Sequence, residues 1–277
     1  MPEGPEIKRL ADALDKQVSG RVIDRIFFGL DPLKKWEVRL AGRRVKCVET
    51  HGKAMLTHLD MDEGEDLTIY SHNQLYGRWV FCSTDAYPDS KRQLRIAIDC
   101  QGQSALLYSA SDIAVLNKHE LKHHPFLSKL GPDVLSESTT LESLVERLSS
   151  AKYRNRQLGG VLTDQSFIAG LGNYLRCEIL FYAGLNPAVC SRDLNDEKLY
   201  FLADAILKQA RQSYQSKGIT NDLECAQKLM AQGASFEDAR FYVFRRQGEA
   251  CYRCDTQIEK KTQAGQACFY CPNCQKN

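Results

Sequence analysis

The last 27 residues of this 277-residue chain contain two Cys-x-x-Cys pairs, Cys251–Cys254 and Cys271–Cys274, with sixteen residues between them. Nothing else in the sequence restricts local structure so tightly. Two such knuckles turn four sulfurs toward one tetrahedral ion, and the residues between them close as a β-hairpin. The chain has eleven cysteines, an odd number, and no export signal, which argues for reduced thiols over a disulfide framework. The spacing predicts one structural Zn2+ whose four positions are filled by thiolates, so that the ion holds a fold and does no chemistry. Cys268-Phe-Tyr-Cys271 is also a Cys-x-x-Cys, so Cys268 competes for the fourth position; Cys-Pro-Asn-Cys is favoured as the tighter turn and the mirror of Cys-Tyr-Arg-Cys. Cys47, Cys82, Cys100, Cys177, Cys190 and Cys225 read as small buried hydrophobes.

Upstream, Ile7, Leu10, Ala11, Leu14 and Val18 share one face, with Pro5 in the first turn and Gly20 beyond the end, predicting a helix over 5–18. From Arg21 to about Asp112 the texture becomes short β-like runs. VIDRIFFGL, RVKCVETHG, AMLTHLD, DLTIY, RWVF, LRIAID and SALLYS predict six or more strands, in a sandwich or barrel with the first helix packed on it. Gly131-Pro132-Asp133 and the polar SEST run read as a linker over 131–139. Thr139 and Glu142 then predict a capping box ahead of Leu141, Leu144, Val145 and Leu148. A long helix begins at Asn195, and a Gly170-Leu171-Gly172 turn joins two helices before it. Residues 219–240 are polar and poorly patterned, predicting a flexible connection. The expected organisation is α+β and two-domain: residues 1–130, the linker, a helical part over 140–240 and the metal hairpin over 241–277.

Hydrophobic residues make up 43% and charged residues 26% of the chain, ordinary for a soluble globular protein. No apolar run approaches membrane-spanning length, and the N-terminus lacks the apolar core of a signal peptide. A net charge of +2 does not announce a nucleic-acid binder, although Arg240 to Lys261 holds six basic residues against three acids.

The chain opens Met1-Pro2-Glu3-Gly4-Pro5. A small second residue permits removal of Met1, leaving Pro2 as a free secondary amine beside a carboxylate at the positive end of the first helix. An amine must be neutral to attack. An ordinary α-amino group, with a pKa of about 7.7–8.0, is roughly a quarter neutral near pH 7.4, whereas a lysine at about 10.4 is roughly 0.1% neutral. The helix end favours the free base further.

MPEGPEI, THGKAMLTH, YSHNQLYG, LLYSASDI, HPF, GPDVL, RNRQ, DQSFIAGLGNYLR and the cysteine hairpin together resemble the formamidopyrimidine-DNA glycosylase family over nearly the whole chain. The resemblance implies an N-terminal β-sandwich catalytic domain with a leading helix, a helix–two-turn–helix domain and a four-cysteine zinc β-hairpin. It implies a bifunctional DNA glycosylase and abasic-site lyase of base excision repair, a cytoplasmic, nucleoid-associated monomer acting on double-stranded DNA with a damaged base and having no membrane partner. By that resemblance Pro2 attacks C1′, Glu3 is the general acid for ring opening and base departure, and Lys53 helps protonate and steer the sugar oxygen or leaving group. A base inside a duplex cannot offer C1′ to an amine, so the nucleotide is flipped out and the gap filled. Gln74, Leu75 and Tyr76 match the filling triplet, with Leu75 as wedge, Tyr76 stacking and Gln74 bonding the orphaned base. Asn173, as cap of the second helix after the Gly-Leu-Gly turn, and Lys129 of HPFLSKLGP fall where the family binds phosphate. His123, His124 and the other histidines read as structural or exposed.

One position departs from the family. The arginine that clamps the flipped nucleotide's phosphate falls, aligned from the cysteines, on Gln266, which lacks charge and a bidentate fork. Arg246 or Arg253 could supply the charge instead. MPEGPEI and NQLYG resemble the branch that excises oxidised pyrimidines such as thymine glycol and 5-hydroxycytosine and cleaves the strand by β,δ-elimination. The alternatives are an oxidised-purine glycosylase on the same scaffold, and a zinc-hairpin DNA-binding protein weakened in catalysis.

Overall fold

Helix α1 (Gly4–Val18) forms where the apolar period predicts it, burying Ile7, Ala11, Leu14 and Val18. The computed structural model describes residues 2–61, 65–84 and 86–276. These fall into two units, one of Pro2 and Glu6–Lys129, the other of Glu3–Pro5 and residues 130–276.

The first unit runs β1 (Arg25–Phe28), α2 (Glu37–Leu40), β2 (Arg44–His51), β3 (Ala54–Asp60), β4 (Leu67–His72), β5 (Arg78–Ser83), β6 (Leu94–Cys100), β7 (Gln103–Tyr108), β8 (Asp112–Asn117) and α3 (Lys118–Lys122). The strands pair antiparallel in two four-stranded sheets, of order β1-β6-β7-β5 and β2-β3-β4-β8. Ile26, Phe28, Ile96 and Leu107 from one sheet meet Val45, Met55, Leu59 and Ile69 from the other in a single core, which also takes Leu14 and Val18 of α1. The β region is therefore a sandwich and not a closed barrel. Strand β8 extends past the expected limit near Asp112. Of its six residues only Val115 is buried, so DIAVLN shows no alternation to read.

The second unit runs α4 (Leu141–Ser149), α5 (Leu158–Val161), α6 (Asn173–Tyr182), α7 (Asp196–Gln215), α8 (Leu223–Ala231), α9 (Phe236–Ala239), β9 (Glu259–Gln263) and β10 (Gln266–Tyr270). Leu144 and Leu148 of α4, Leu175 and Ile179 of α6, and Leu202 and Ile206 of α7 share one core. A second cluster packs Cys177 and Phe181 of α6 against Ile258, Cys268 and Phe269 of the hairpin.

Several local expectations change. The α4 capping box is Thr140 with Ser143; Thr139 Oγ1 instead donates to the Asp133 carbonyl at 2.6 Å. Residues 131–139 are packed into the unit, with Val134 fully buried and its N–H donating to Ala169 O at 3.0 Å. Helix α5 is a single turn. Residues 219–240 form no flexible connection but carry α8 and α9. Asp222 and Ser235 cap these two helices, and the flanks of the stretch are fixed by Glu178, fully buried on α6, whose carboxylate accepts from Thr220 Oγ1 at 2.7 Å and from the N–H groups of Tyr242, Val243 and Phe244 at 2.7, 2.9 and 2.9 Å. Burial pushes this carboxyl up from its usual range, and the four donors oppose the shift. Polar residues here cap helices and, through Thr220, bond a buried carboxylate, so low hydrophobicity does not mean disorder. Of the six scattered cysteines, Cys100 and Cys177 are buried and the others half-buried.

Candidate active site and metal centre

Glu3 is only 3% exposed. Its carboxylate sits on the N-terminus of α6, where Tyr174 N–H donates to Oε1 at 2.8 Å and Leu175 N–H to Oε2 at 3.3 Å. The first N–H groups of a helix lack intrahelical acceptors and carry the positive end of its dipole, so they favour an ionised carboxylate. Bonds to a charged group contribute about 1.5–3 kcal/mol each. Glycine makes the room: a Cβ on Gly172 would lie 2.4 Å from Glu3 Cδ and Oε1. Gly4 N–H donates to Gly170 O at 2.8 Å, and a Cβ on Gly4 would approach Gly170 Cα to 3.0 Å. The Gly-Leu-Gly turn is a socket for the chain's own third residue. Pro2, half-buried, is bonded to this fixed point, with its Cα about 3.8 Å from that of Glu3. Met1 lies outside the described residues.

The socket corrects the expected role of Asn173. Gly172 is the cap, and Asn173 is the first helical residue. Its Nδ2 donates to Ala267 O at 2.9 Å and its Oδ1 accepts from Arg176. The fully buried Arg176 also donates to Gly159 O at 3.1 Å, Gln263 O at 3.0 Å and Ala267 O at 3.2 Å, joining α5, α6 and the hairpin.

In the first unit, Lys53 belongs to the two-residue turn between β2 and β3, where His51 pairs with Ala54 and Gly52 has φ 61°. It is 9% exposed, unlike a solvated surface lysine. Gln74, Leu75 and Tyr76 form the turn between β4 and β5, with Leu75 63% and Tyr76 70% exposed. Gly77 N–H closes the turn on Asn73 O at 2.7 Å, and a Cβ on Gly77 would fall 2.5 Å from that oxygen. Gln74, at φ 50°, donates its N–H to His72 Nδ1 at 3.0 Å and accepts Ser111 Oγ–H at Oε1, also at 3.0 Å. His72, among the histidines that the sequence reads as structural or exposed, has no metal spacing, and its partner here is a backbone N–H. Its basicity is lowered, first by burial and then by the charge of Lys53, against the pull of Asp112. His124 packs on the Tyr70 ring at 4.3 Å, His123 is exposed, and exposed Lys129 ends a short 3-10 turn.

The Sγ atoms of Cys251, Cys254, Cys271 and Cys274 all lie within 4.8 Å of one another. Three of the separations are 3.9 Å (Cys251–Cys274), 3.5 Å (Cys254–Cys271) and 3.4 Å (Cys254–Cys274). Four thiolates about 2.3 Å from a tetrahedral zinc stand about 3.8 Å apart, so the set fits. Backbone N–H groups of Arg253 and Cys274 point at Cys251 and Cys271 Sγ, each at 3.4 Å. Cys268 is outside the cluster: its sulfur lies 3.9 Å from that of Cys177 on α6, and both residues are fully buried. The Cys177 thiol donates to it, bringing Cys268 down to about 7, while burial pushes Cys177 up. At the hairpin tip Ala264 and Gly265 have φ 50° and 73°, a two-residue turn, and exposed Gln266 opens β10. Arg246 is buried against Tyr242 O, Ala250 O and Glu249, and the Arg253 guanidinium lies 4.6 Å from the Phe181 ring centre.

Residues 1–111 match the formamidopyrimidine-DNA glycosylase N-terminal domain and residues 130–223 the H2TH domain of the same family. Over 275 residues the chain is 46% identical to Endonuclease 8 of Escherichia coli O1:K1 / APEC and 44% identical to Endonuclease 8 of Klebsiella pneumoniae subsp. pneumoniae, covering 99% of this chain and 100% of each relative. MutM in complex with carbocyclic 8-oxo-G DNA has the same fold (TM-score 0.79, 22% identity, full coverage of both chains). So does the Lactococcus lactis Fpg (MutM) solved with an oxidised-pyrimidine DNA (TM-score 0.80, 20% identity, full coverage of both). The chain belongs to the formamidopyrimidine-DNA glycosylase family, bifunctional DNA glycosylases and abasic-site lyases of base excision repair. The relatives at 44–46% identity are named Endonuclease 8.

Three substitutions test this geometry. Gly172→Ala should expel the Glu3 carboxylate and lower turnover on a lesion duplex by about a hundredfold or more, the scale of one general acid–base group, with metal content intact; unimpaired turnover would show the socket to be dispensable. Metal analysis should find one zinc per chain in Cys268→Ser and none in Cys271→Ser. Loss of zinc from Cys268→Ser would place that sulfur in the ligand set.

Proposed function

We propose that this enzyme excises oxidised pyrimidines, of the thymine glycol and 5-hydroxycytosine type, and then cuts the strand by β,δ-elimination through a Schiff base on Pro2. The observation that carries the reading is the Glu3 carboxylate held on α6 in the residue next to that amine. The amine attacks C1′, forming an N–C1′ bond as the base leaves with its bonding pair and takes up the remaining N–H proton of Pro2. The helix donors favour ionised Glu3, so Glu3 first takes the proton from the Pro2 ammonium. It then delivers that proton to the ring oxygen, and the C1′–O4′ bond opens to an iminium. This cation acidifies the 2′-proton, whose loss expels the 3′-phosphate; a second elimination releases the 5′-phosphate, and water frees the amine. Lys53, its burial strengthening its field, steers the sugar oxygen or leaving group.

The bare Leu75 and Tyr76 suit a wedge and a stacking platform for the gap, with Gln74 facing the orphaned base. Lys129 and Asn173 are assigned to phosphates, Asn173 from a side chain already bonded to the hairpin. Cys251, Cys254, Cys271 and Cys274 would hold one zinc, which supplies rigidity and no chemistry. Gln266, beside the hairpin tip, is assigned to the phosphate of the flipped nucleotide. The buried Arg246 is committed elsewhere and cannot replace the missing charge. Among the described residues no helix is long and apolar enough to cross a membrane; we place the protein in the cytoplasm with the nucleoid, as a monomer.

Borohydride should trap a covalent complex with a thymine glycol duplex in preference to an 8-oxoguanine duplex, with Met1 absent from the intact mass. Preferential purine trapping would favour the other branch, and binding without an adduct on either would remove the catalytic reading. Gln266→Arg should raise DNA affinity and steepen its salt dependence by about one phosphate contact; no change in either would take residue 266 away from the phosphate.

A further inference from the structure

We propose that His72 is a positioning residue for the Gln74-Leu75-Tyr76 turn, holding it through the lone pair on Nδ1, so that the turn presents Leu75 and Tyr76 only while the ring is neutral. The proposal rests on the reading of that turn as the gap-filling loop. Gly77 N–H on Asn73 O at 2.7 Å and Arg92 Nη1 on Tyr76 O at 2.9 Å hold the far side of the turn, but its first residue is the strained one. Gln74 is a non-glycine residue at φ 50°, and the buried Asn73 beside it has an Nδ2 without a hydrogen-bond partner. A segment like this persists only where its surroundings hold it. Ser111 holds the Gln74 side chain, and His72 holds its main chain, accepting the N–H at 3.0 Å. An N–H can only donate, so Nδ1 must be unprotonated and the ring proton must sit on Nε2.

The groups around the ring favour this state. Lys53 precedes Ala54, the β3 residue paired with His72, and Asp112 is its partner on β8. The Phe126 ring meets it edge-on at 5.2 Å, and His124 lies one contact away on Tyr70. Asp112 favours the imidazolium but also accepts the Tyr70 hydroxyl at 2.9 Å; burial and Lys53 outweigh it, and the net shift is downward. The sign follows. A depressed value means that the bond to Gln74 is present above the ordinary imidazole pKa of about 6.5 and is lost as pH falls through the lowered one. Protonation puts a donor against a donor and releases the turn.

Side-chain geometry separates the two ring nitrogens. His72→Asn places an amide oxygen near the Nδ1 position and does not titrate, His72→Gln reaches only the Nε2 position, and His72→Ala reaches neither. The measurement is the affinity of each zinc-loaded variant for a duplex with a tetrahydrofuran abasic analogue, relative to undamaged duplex, between pH 5 and 8, with Tm followed in parallel. Ala and Gln should lose about fivefold in lesion preference, the size of one neutral hydrogen bond. Asn should retain the preference and keep it in acid, where the wild type declines. An Asn variant as poor as Ala would mean that the ring acts through Nε2, and an Asn variant with the wild-type acid loss would place the titrating group elsewhere; either overturns the proposal. Leu75→Ala removes the wedge and leaves the latch, so an unchanged lesion preference there would overturn the reading of the loop itself.

Discussion

A carboxylate from the third residue of the chain fills the anion site at the start of α6, and the proposed chemistry depends on that contact. Helix N-termini attract anions because their first N–H groups have no partner and the dipole adds to them. Here the site is occupied from within, at 2.8 and 3.3 Å. A terminus is ordinarily the least ordered part of a domain; this one is tied to a rigid helix by two charge-assisted bonds and by Gly4 N–H on Gly170 O. The chemistry assigned to Pro2 needs such anchorage, since an amine at a fraying end would spend little time aligned with C1′. The turn must then be glycine on both sides of Leu171, because Gly170 has φ 102° and Gly172 faces the carboxylate.

Ten residues of α6 do most of the organising in the second unit. Its first N–H groups hold Glu3, Asn173 and Arg176 hold carbonyls of the hairpin, Cys177 packs on Cys268, and Glu178 gathers Thr220 and residues 242–244. Two charged side chains, Arg176 and Glu178, are buried two residues apart on α6 with neutral partners around them. Removing any one of those partners would leave an underbonded buried charge, which costs several kcal/mol, so the arrangement specifies a geometry more than it adds stability. In this setting the four cysteines have a limited task. They close the hairpin's far end, while Arg176 and the apolar contacts of Cys268 and Phe269 seat its near end on α6.

What could be read from the sequence was what has a local period or a fixed spacing. The stripe of α1, the start of α7 at Asn195, seven strand runs and the four clustered cysteines all depend on neighbours within a turn or a knuckle. The Glu3 socket pairs residues about 170 positions apart and leaves no trace in either segment. The cap of α4 slipped by one because Thr139 and Thr140 are chemically equal and only the fold decides which oxygen faces the helix. The stretch 219–240 reads as unstructured because its polar groups cap α8 and α9 (Asp222, Ser235) or bond within the fold (Thr220 to Glu178, Asn221 to Ala239 O), uses that hydrophobic patterning cannot register. Cys268 was ambiguous for as long as Cys177, ninety-one positions away, had no place beside it. His72 was illegible because a backbone N–H as partner carries no residue type.

The helix donors that fix Glu3 also constrain the order of proton movements. In the proposed mechanism Glu3 rests as a carboxylate on two N–H groups, so the proton it would give to the sugar must first be taken up, and the ammonium of the neighbouring Pro2 is the assigned source. Between an ordinary α-amino group and an ordinary glutamate the gap is about 3.5 pKa units, or about 5 kcal/mol uphill, and the helix dipole adds up to about 2 kcal/mol. A turnover of about 10 per second corresponds to a barrier near 16 kcal/mol. The transfer therefore fits beneath the barrier with room for bond making at C1′. In the proposed scheme it would also produce the free amine and the acid in one step, so that one proton would serve both the nucleophile and the leaving ring oxygen. A lysine nucleophile at the same place would start about 2.5 units higher and add about 3.5 kcal/mol to the same transfer, which is the energetic case for using a chain end.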